Sequence, residues 1–501
     1  MSDILEQAEA VHGDRIATST QGIHLTYREL MARARRLAGA LREYDVVPGD
    51  RVAALARNSF RYLEINFACA LAGAILVPLN VRLAKAEIAA IVSRTECRVV
   101  FCASPFYVEN VPVITWDDSC KPDETCVYET LVAAARPAVG AANDPAEVAQ
   151  IFFTSGTTGV PKGVCLTHGN LLASALDSVE TLALSPDDAW LHAAPMFHLV
   201  DAFAIWGMTL VGGRHVTAHF EPEVFGPLVQ NERITKTSLP PTLLDWISRT
   251  KPRARHDLSS LALISYGGSP MQEAVYRRCR EALRCRLLQA YGLTEGSGFV
   301  CHETVADNPD PDSAINTVGL PTRRADVALH DADGRPTPQG EIGEIVIRGA
   351  RVFKAYWQDA VTTRDAFVGP WYRTGDLGIM NGKGAFQIVG RKKEMIISGG
   401  ENVYPGEVVN ALLTHPAVAE AAVFGLPSER WGEVVQAVVY ISPDCAVAPA
   451  LEELVRHCRD LIGGYKSPKR IEISQTPLPK TGAGKIATAL IREAFLKREV
   501  S

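Results

Sequence analysis

Hydrophobic positions along the first 300 residues follow two alternating patterns. Stretches such as TYRELMARARRLAGALREY, from Thr26 to Tyr44, carry apolar residues at helical spacing between polar ones. Between such stretches lie short apolar runs, among them RVAALA, CRVVFCA, VAQIFFTS and LALISYGG, which are typical of buried strands. Helices that alternate with buried strands predict β-α units and largely parallel sheets, and therefore an α/β fold.

The pattern changes in the last third of the chain. From Val327 to Gly390 it predicts hairpins, because Asp333-Gly334 and Asn381-Gly382 are dipeptides that two-residue hairpin turns favour. The last hundred residues predict helix, strand, strand, helix and strand in a small α+β unit. We therefore expect a large N-terminal domain with β-α sheets and a hairpin-rich β subdomain, followed by a small C-terminal domain. The boundary is expected between Arg391 and Ile396, where the hairpins stop.

Length and composition are those of a soluble globular enzyme. The 501 residues exceed the roughly 100–200 of a usual domain, which predicts more than one domain. Hydrophobic residues make up 47% and charged residues 22%, and the net charge of −6 comes without a long run of Lys or Arg. This composition gives no indication of binding to nucleic acid or an anionic membrane, so small molecules or proteins are the expected partners.

Two further features concern the cellular compartment. Eleven cysteines are scattered without a C-x-x-C pair, which favours free thiols in a reducing compartment. The N-terminus, MSDILEQAEA, lacks the basic and apolar regions of a signal peptide, and the apolar stretch FACALAGAILVPL from Phe67 is shorter than a membrane span. We expect a cytoplasmic protein in which this stretch is a buried helix that runs into a strand.

The candidate chemistry begins in TSGTTGVPKG, from Thr154 to Gly163, directly after an apolar strand. Its glycines allow positive φ angles and close backbone approach, while its hydroxyls and Lys162 supply the donors that a phosphate chain requires. The P-loop pattern G-x-x-x-x-G-K-[ST] is not met, because Pro161 and Val164 stand where its second glycine is needed. The alternative interpretation is a solvent loop of small polar residues.

This loop and four later segments resemble the adenylate-forming superfamily, which contains acyl-CoA synthetases, luciferases and the adenylation domains of peptide synthetases. The later segments are, in order, YGLTEGS from Tyr291, YRTGDLG from Tyr372, GRKKEMIISGGENVYPGEVV from Gly390 and LPKTGAGK from Leu478. The resemblance covers nearly the whole chain. It implies a ligase that uses ATP, Mg²⁺ and coenzyme A, acts through an acyl-adenylate, and has a mobile C-terminal domain.

The resemblance also implies which residues bind the nucleotide. Glu295 and Thr154 would hold Mg²⁺, and a carboxylate oxygen suits that hard cation. Asp376 would accept both ribose hydroxyls, since a carboxylate has two acceptor oxygens, and Tyr291 would stack on adenine. The other implied ATP contacts are Ser155, Gly156, Thr157, Thr158, Gly159, Lys162, Gly267, Gly268, Ser269, Gly292, Thr294 and Arg391.

Two lysines near or within the small domain carry implied roles. Lys485 would bridge the attacking carboxylate and the α-phosphate, offsetting charge that grows in the transition state. Lys393 falls at the pivot, which divides the chain into residues 1–392, binding ATP and the acid, and residues 393–501, carrying the catalytic lysine and contacting CoA. The implied CoA contacts are Ser398, Gly399, Gly400, Glu401, Trp431, Tyr465, Lys466 and Lys469. Ser467 stands where some relatives have Arg.

By the same resemblance, PMFHLVDAFAIW, from Pro195 to Trp206, lines the acid pocket. His198 occupies the place where amino-acid-activating relatives carry Asp, which disfavours an α-amino acid. These segments hold no basic side chain for a second carboxylate, which disfavours a dicarboxylic acid. The implied pocket residues are His198, Leu199, Val200, Gly267, Gly292, Gly296, Ser297 and Gly298, with Phe203 and Trp206 adding apolar surface. Because the glycines are expected to leave volume, we expect a bulky apolar acid that is aromatic, polycyclic or medium-chain.

Several alternatives stay open. The acceptor is either CoA or an acyl carrier protein, and the protein is either a monomer or a homodimer. A catalytically weak acyl- or nucleotide-binding protein is the alternative to an enzyme, and the presence of Lys485, Glu295 and Asp376 together argues against it.

Two sets of polar residues are expected to be structural. Asp201 either meets a polar substituent of the acid or, as we prefer, bonds a neighbouring backbone amide. His192, His198, His215 and His219 lack a closed set of metal ligands, and structural roles are expected for them as pairs.

Overall fold

The structure is a computed structural model that describes residues 1–104, 106–117, 121–122, 124, 126–154, 161–269, 271, 273–303, 317–398, 401–428, 430–442, 445, 448–462, 464–481 and 485–500. Up to residue 182 the helices are α1 (Ser2–His12), α2 (Tyr27–Leu41), α3 (Phe60–Ala72), α4 (Lys85–Arg94), α5 (Val127–Ala134) and α6 (His168–Leu182). The strands of this part are β1 (Ile16–Thr20), β2 (Ile23–Thr26), β3 (Arg51–Leu55), β4 (Ile75–Pro78), β5 (Cys97–Cys102), β6 (Val113–Thr115), β7 (Val148–Thr154) and β8 (Lys162–Thr167).

The next part continues the alternation of strands and helices. Its elements are β9 (Ala189–His192), α7 (Leu199–Val211), β10 (Arg214–Thr217), α8 (Phe225–Glu232), β11 (Lys236–Leu239), α9 (Pro241–Arg249), β12 (Leu263–Gly267), α10 (Glu273–Leu283), β13 (Arg286–Leu293) and β14 (Gly298–His302). Then follow β15 (Leu320–Pro321), β16 (Asp326–His330), β17 (Gly343–Arg348), β18 (Ala355–Tyr356), α11 (Ala360–Asp365), β19 (Phe367–Val368), β20 (Trp371–Met380) and β21 (Phe386–Arg391).

The C-terminal part has its own elements and its own core. They are β22 (Ile396–Ser398), β23 (Glu401–Val403), α12 (Pro405–Leu413), β24 (Val418–Ser428), β25 (Gly432–Ile441), α13 (Leu451–Ile462), β26 (Arg470–Ser474) and α14 (Thr488–Val500). Its sheet runs β23-β22-β25-β24, with β26 parallel to β25. The predicted order of helix, strand, strand, helix and strand is confirmed from α12 to β26, whereas α14 was not predicted from the pattern.

The N-terminal part contains two sheets of mainly parallel interior strands, and a third, antiparallel sheet of β16, β17, β20, β19 and β21. Of the first two sheets, one runs β15-β14-β13-β12-β11-β9-β10-β1-β2 and the other β18-β8-β7-β4-β3-β5-β6. The pairs from β10 through β9, β11 and β12 to β13 are parallel, while β13-β14 and β7-β8 are antiparallel hairpins. The expected α/β fold, with a large N-terminal and a smaller C-terminal domain, is confirmed.

Local signals agree with several predicted elements. The helix predicted from Thr26 begins with a capping box, in which the Thr26 hydroxyl and the Glu29 carboxylate each accept the other residue's backbone N–H. The apolar stretch from Phe67 is the buried end of α3 running into β4, as expected. Among the described residues, no helix combines the length and apolarity needed to cross a membrane. The cysteines in this part of the chain form no disulfide bonds.

The hairpin region is present, but its turns are longer than the expected two-residue turns. β16 pairs with β17 across residues 331–342, and β20 pairs with β21 across residues 381–385. In the second loop the Asn381 side chain accepts the backbone N–H groups of Lys383 and Ala385 at 2.9 and 3.0 Å. Gly384 supplies the positive φ angle, 81°. The Asn381 side chain therefore helps to close the loop of residues 381–385, whose ends are also joined by the backbone N–H of Asn381 donating to the Ala385 carbonyl at 2.9 Å.

A buried ion pair joins three parts of the N-terminal region. Arg351 and Asp177 are both fully buried, and Arg351 Nη1 lies 3.0 Å from Asp177 Oδ2. The same guanidinium donates to the carbonyl oxygens of Gly296 and Ser297 at 3.3 and 3.1 Å. In return, Ser297 Oγ donates to the carbonyl of Arg351 at 2.7 Å. The pair therefore fixes the turn that follows β13, where Ser297 holds a positive φ of 55°.

Removing the carboxylate of this pair should be costly. Asp177→Ala should lower the free energy of unfolding by about 3–5 kcal/mol, because it leaves the Arg351 charge buried and unpaired. Urea denaturation monitored by circular dichroism measures the change. The control is Asp326→Ala, which removes the partner of Arg348 from a pair whose side chains are 46% and 62% exposed, and about 1 kcal/mol or less is expected. Equal losses in both variants would contradict the assignment.

Candidate active site

The hairpin of β7 and β8 presents the residues that flank the glycine-rich loop. Thr154 and Lys162 stand opposite each other at its open end. Arg94 Nη1 donates to the carbonyl of Pro161 at 2.7 Å, which anchors the chain where it leaves the loop. The Lys162 ammonium lies 4.7 Å from the centre of the Tyr356 ring. The expected phosphate contacts Ser155, Gly156, Thr157, Thr158 and Gly159 lie outside the described residues.

Glu295 lies in a short 3₁₀ turn, Thr294–Gly296, directly after β13. Its Oε1 accepts the hydroxyl of Tyr356 at 2.9 Å, and the hydroxyl of Tyr372 also bonds the carboxylate. Burial raises the pKa of Glu295, while its hydrogen bonds and the charge of Arg391 act in the opposite direction. Neither tyrosine was assigned a role from the sequence, although Tyr372 begins the YRTGDLG segment. Together they orient the carboxylate toward the loop hairpin, since β18 places Tyr356 beside β8.

These residues fit a magnesium site of a particular kind. Within the part of the chain that the structure describes, no group of three or more His, Cys, Asp or Glu side chains gathers as a metal site. Mg²⁺ is usually held by one or two carboxylates together with substrate phosphates and water, and not by an all-protein cage. Glu295, with the Thr154 hydroxyl at the hairpin end, is a donor set of hard oxygens suited to that role.

The Asp376 carboxylate connects Tyr291, on β13, with Arg391, at the end of β21. Its Oδ2 accepts the Tyr291 hydroxyl at 2.7 Å, and its Oδ1 lies 2.8 Å from Arg391 Nε. Asp376 and Arg391 are also partners in the β20-β21 register. Burial raises the pKa of Tyr291, and the Asp376 charge adds to the effect. Beside them, Gly267 ends β12, and Gly268 has a φ of 82° with open space where a side chain would be. Ser269 follows at this edge.

Lys485 reaches the same cleft from the C-terminal part. The Lys485 residue is exposed as a whole, but desolvation of its ammonium group lowers its pKa, the charge of Arg391 adds to this effect, and Asp376 and Glu394 oppose it. The Lys485 charge also acts on His198, whose pKa is lowered to about 4. Burial is the largest cause, and the positive charges of Arg82 and then Lys485 add to it. The structure therefore brings Lys485 within electrostatic reach of Asp376, Arg391 and His198.

More side chains of the acid-pocket segment are packed in the protein core than the sequence suggested. Phe203 is buried against Trp190 and Phe299, and Trp206 is buried against Phe67. Leu199 is buried and Val200 half-buried at the start of α7. His198 precedes this helix, and its buried Nε2 has no hydrogen-bond partner among the described residues. His198 therefore presents a neutral ring nitrogen that is free to bond a substrate.

The expectation that glycines leave pocket volume is wrong at most of its positions. Gly267, Gly292 and Gly296 are small because other parts of the chain approach them closely. An added Cβ would lie 2.4 Å from Ala290 O at Gly267, 2.1 Å from Gly298 O at Gly292 and 2.6 Å from Val300 Cγ1 at Gly296. At Gly298 it would lie 3.1 Å from Phe203 Cβ, and Ser297 is fully buried. These residues shape the wall of the site, but their small side chains do not indicate how large the acid pocket is.

Asp201 has a structural role, but with other partners than the expected backbone amide. Its fully buried carboxylate accepts Trp190 Nε1 at 3.1 Å and lies 2.5 Å from His192 Nδ1. His192 Nε2 in turn lies 2.9 Å from His215 Nδ1. His219 is exposed beside Arg57 and is not part of this chain of bonds. The interpretation of these histidines as structural agrees with the geometry.

One cation near the acid pocket was missed. The charge of Arg82, in the connection between β4 and α4, acts on His198. Arg82 lies outside the segments expected to line the acid pocket. The lack of a basic side chain in those segments therefore no longer disfavours a dicarboxylic acid.

The residues expected to contact CoA lie on the C-terminal part, apart from the nucleotide site. Ser398 pairs with Gly432, which places it beside Trp431 at one end of the sheet, and Glu401 pairs with Ser398. The Trp431 and Tyr465 side chains are exposed. Lys466 is bound to Glu407 at 2.6 Å, and Lys469 Nζ donates to the Gly464 carbonyl at 3.4 Å. Gly399 and Gly400 lie outside the described residues.

The chain on the N-terminal side of Lys393 is firmly held. Arg391 is bound to Asp376, and Lys392 Nζ lies 3.0 Å from Glu344 Oε2. Glu344 is buried and also holds Arg373 at 2.7 Å. Lys393 lies in the short turn Lys392–Glu394 between β21 and β22.

The end of the β7-β8 hairpin, the Glu295 and Asp376 carboxylates and Lys485 thus belong to a chain that is similar throughout to acid–thiol ligases, and the protein is an enzyme of that class. The chain belongs to the AMP-binding enzyme family. Residues 5–357 match the AMP-binding enzyme domain, and residues 407–485 match the AMP-binding enzyme C-terminal domain. Ligases of this family use ATP, Mg²⁺ and CoA and act through an acyl-adenylate.

Similar proteins cover almost the whole chain. A feruloyl-CoA synthase from Amycolatopsis sp is 37% identical over 485 residues, which are 95% of this chain and 94% of the relative. A long-chain-fatty-acid–CoA ligase from Mycobacterium tuberculosis is 33% identical over 489 residues, 94% of this chain and 93% of the relative. A fatty acid–[acyl-carrier-protein] ligase from Streptomyces coeruleorubidus is 33% identical over 502 residues, 96% of this chain and 93% of the relative.

Solved structures agree with the fold. The o-succinylbenzoate CoA synthetase from Bacillus subtilis in complex with an acyl-adenylate has a TM-score of 0.86 and 28% identity, covering 98% of this chain and 97% of that one. The same synthetase with ATP and a magnesium ion has a TM-score of 0.86 and 27% identity, covering 98% and 99%.

The state of His198 predicts a pH dependence of stability. Its pKa is about 4 in the folded protein and has the ordinary value of 6.5 in the unfolded chain. Between these pH values the unfolded chain binds more protons, so stability present at neutral pH is lost as the pH falls from 6.5 through 4. His198→Gln should reduce the stability difference between about pH 7.5 and about pH 5 by about 1–2 kcal/mol.

Urea denaturation of the two proteins at both pH values measures this difference. The control is His219→Gln, because the His219 side chain is 57% exposed. An unchanged pH difference in His198→Gln would contradict the buried neutral state.

Proposed function

We propose that this enzyme activates a bulky apolar carboxylic acid with ATP and transfers the acyl group to CoA. The observation that carries the proposal is the meeting of Lys485 with Asp376, Arg391 and His198 in one cleft, beside the Glu295 carboxylate. Residues 1–392 would bind ATP and the acid, and residues 393–501 would turn about Lys393 between two reactions. The same arrangement argues against a catalytically weak binding protein.

The chemistry follows from the poor reactivity of a carboxylate toward nucleophiles. Attack by the acid's carboxylate on the α-phosphorus of ATP forms a mixed anhydride and releases pyrophosphate, and AMP is then a good leaving group for a thiol. Lys485 would lie between the two anionic reactants and offset charge as the new bond forms. Asp376 would hold the ribose, and Thr154 and Lys162 would border the loop around the outer phosphates. Bound Mg²⁺ would neutralise phosphate charge at Glu295.

The surroundings of His198 support an acid without an ammonium group. The ring is neutral at physiological pH, so it offers no negative charge to a cation. Asp201, the carboxylate of the same segment, is occupied by Trp190 and His192. Leu199 and Val200 add apolar surface beside it. The relatives named for feruloyl, fatty and indoleacetate substrates support an aromatic or long apolar acid over acetate.

The choice of acceptor rests on the exposed face of the C-terminal part. Trp431 and Tyr465 offer aromatic surface, and Lys466 and Lys469 offer positive charge, which suit a phosphorylated adenine nucleotide. An acyl carrier protein is the second candidate, favoured by the relative named for that acceptor.

The test is to incubate the purified protein with ATP and Mg²⁺ and a panel of aromatic, polycyclic, fatty and amino acids, with and without CoA. Because Arg82 lies near the pocket, dicarboxylic acids belong in the panel. Mass spectrometry then follows AMP, acyl-adenylate and thioester. Acid-dependent AMP with acyl-CoA is expected. Acyl-adenylate that forms but does not react with CoA would favour the carrier protein, and preference for acetate or an amino acid would contradict the proposed acid class.

Lys485→Ala separates the two half-reactions. Adenylation should fall by about 10²–10³-fold, because one positive group that stabilises the transition state is lost. Thioester formation from supplied acyl-adenylate should be largely kept. Single-turnover rates of both steps give the comparison, with Lys497→Ala, an exposed lysine of the same domain, as the control. Equal loss in both steps would argue against the assignment.

Lys393→Pro tests the pivot. A proline fixes φ and restricts backbone rotation, so thioester formation should slow by about tenfold or more while adenylation changes little. Lys393→Ala removes the same side chain and leaves rotation free, so it should resemble the wild type in the ratio of the two rates. If that ratio is the same in all three proteins, the pivot lies elsewhere.

A further inference from the structure

Trp246 is an exposed aromatic residue whose ring lies near the charged group of a lysine. It lies on α9 of the N-terminal part, and 49% of it is exposed. The ammonium group of Lys480 lies 5.5 Å from the centre of its ring. A cation at that distance over the face of a tryptophan is attracted by the ring's electron-rich surface. Lys480 belongs to the C-terminal part, so this contact joins the two domains.

Lys480 is held in the orientation that this contact requires. Its Nζ lies 2.6 Å from Glu420 Oε1, and both side chains are about four-fifths buried. The other oxygen of Glu420 accepts the backbone N–H of Leu478 at 2.7 Å. The carboxylate therefore fixes the lysine and its backbone together. Little side-chain freedom is left to lose when Lys480 meets Trp246.

The segment that carries Lys480 also carries Lys485. Lys480 forms an antiparallel bridge with Ile486, and the backbone N–H of Thr481 donates to the carbonyl of Lys485 at 2.7 Å. The backbone N–H of Lys485 donates back to the Thr481 hydroxyl at 3.3 Å. Because these bonds close the turn, the place of Lys480 against α9 sets the place of Lys485 in the cleft.

We propose that Trp246 is a positioning residue for adenylation: by docking Lys480 it holds the C-terminal domain where Lys485 faces the nucleotide site. We name this contact the Trp246–Lys480 latch. The inference rests on the proposed function, since the latch belongs to the first half-reaction and opens when the domain turns for the second. The positive charges of Arg391 and Lys485 oppose each other at the nucleotide site, and the latch supplies attraction at the rim.

The kinetic test uses Trp246→Ala, Lys480→Met and the double variant in single-turnover adenylation and in thioester formation from supplied acyl-adenylate. A solvent-accessible contact of this type corresponds to a loss of about twofold to fivefold in the adenylation rate. KM for ATP and the thioester step should be unchanged. The double variant should be no slower than the slower single variant, because both changes break the same contact.

Conservative variants and a matched control separate positioning from general damage. Trp246→Phe and Lys480→Arg keep a ring and a charge, so they should restore most of the rate. Tyr107→Ala removes another exposed aromatic side chain of the N-terminal part and should leave both steps as in the wild type. Equal losses in the two half-reactions, or losses that multiply in the double variant, would overturn the latch.

A second measurement needs no turnover. Hydrogen exchange of the backbone from Leu478 to Thr481 should be faster in Trp246→Ala than in the wild type or Tyr107→Ala, because the docked turn opens more often. Equal exchange in all three proteins would overturn the latch even if the enzyme is active. A wild-type protein that adenylates no acid would instead contradict the proposed function, so the two failures are distinguishable.

Discussion

The two oxygens of the Asp376 carboxylate are shared between two parts of the site. One accepts the Tyr291 hydroxyl from β13, and the other binds Arg391, at the end of the strand that leads to the C-terminal domain. Since Asp376 and Arg391 are also strand partners, their side-chain and backbone contacts reinforce each other. The aromatic wall, the expected ribose acceptor and the start of the second domain thus take their positions from one carboxylate. A change at this residue acts on all three together.

The electrostatics of the cleft explain why such anchoring is needed. Lys485 and Arg391 face each other, and Arg82 and Lys485 both act on His198. Like charges brought together from two domains oppose closure until a polyanion enters between them. In the proposed reaction the phosphates of ATP would supply that negative charge, so that substrate binding and domain closure would favour each other. The rigid ion pair of Arg351 and Asp177 lies outside this balance and keeps the Glu295 turn in place whether or not the cleft is closed.

The sequence predicted the α/β fold, the order of the C-terminal elements and the segments that form the site, because strand and helix patterns and local motifs are short-range properties. What it could not predict are contacts between distant residues. Arg351 and Asp177 are 174 positions apart, and Tyr356 and Glu295 are 61 apart. The glycines illustrate the same limit: Gly292 has no side chain because Gly298 approaches it, and a sequence motif does not reveal whether space beside a glycine is open or filled. The roles of individual site residues stay predictions.

The anchored approach to the second domain has a mechanical consequence. Arg391 and Lys392 are fixed to Asp376 and Glu344, and β22 begins at Ile396, so residues 393–395 form the whole connection. With two rotatable backbone angles per residue, any turn of the C-terminal domain has to be taken up by about six torsions. In the proposed rotation about Lys393, a connection this short would limit the directions in which the C-terminal domain can turn. Each catalytic face of the domain would then return to the same orientation from one cycle to the next instead of searching for it by diffusion.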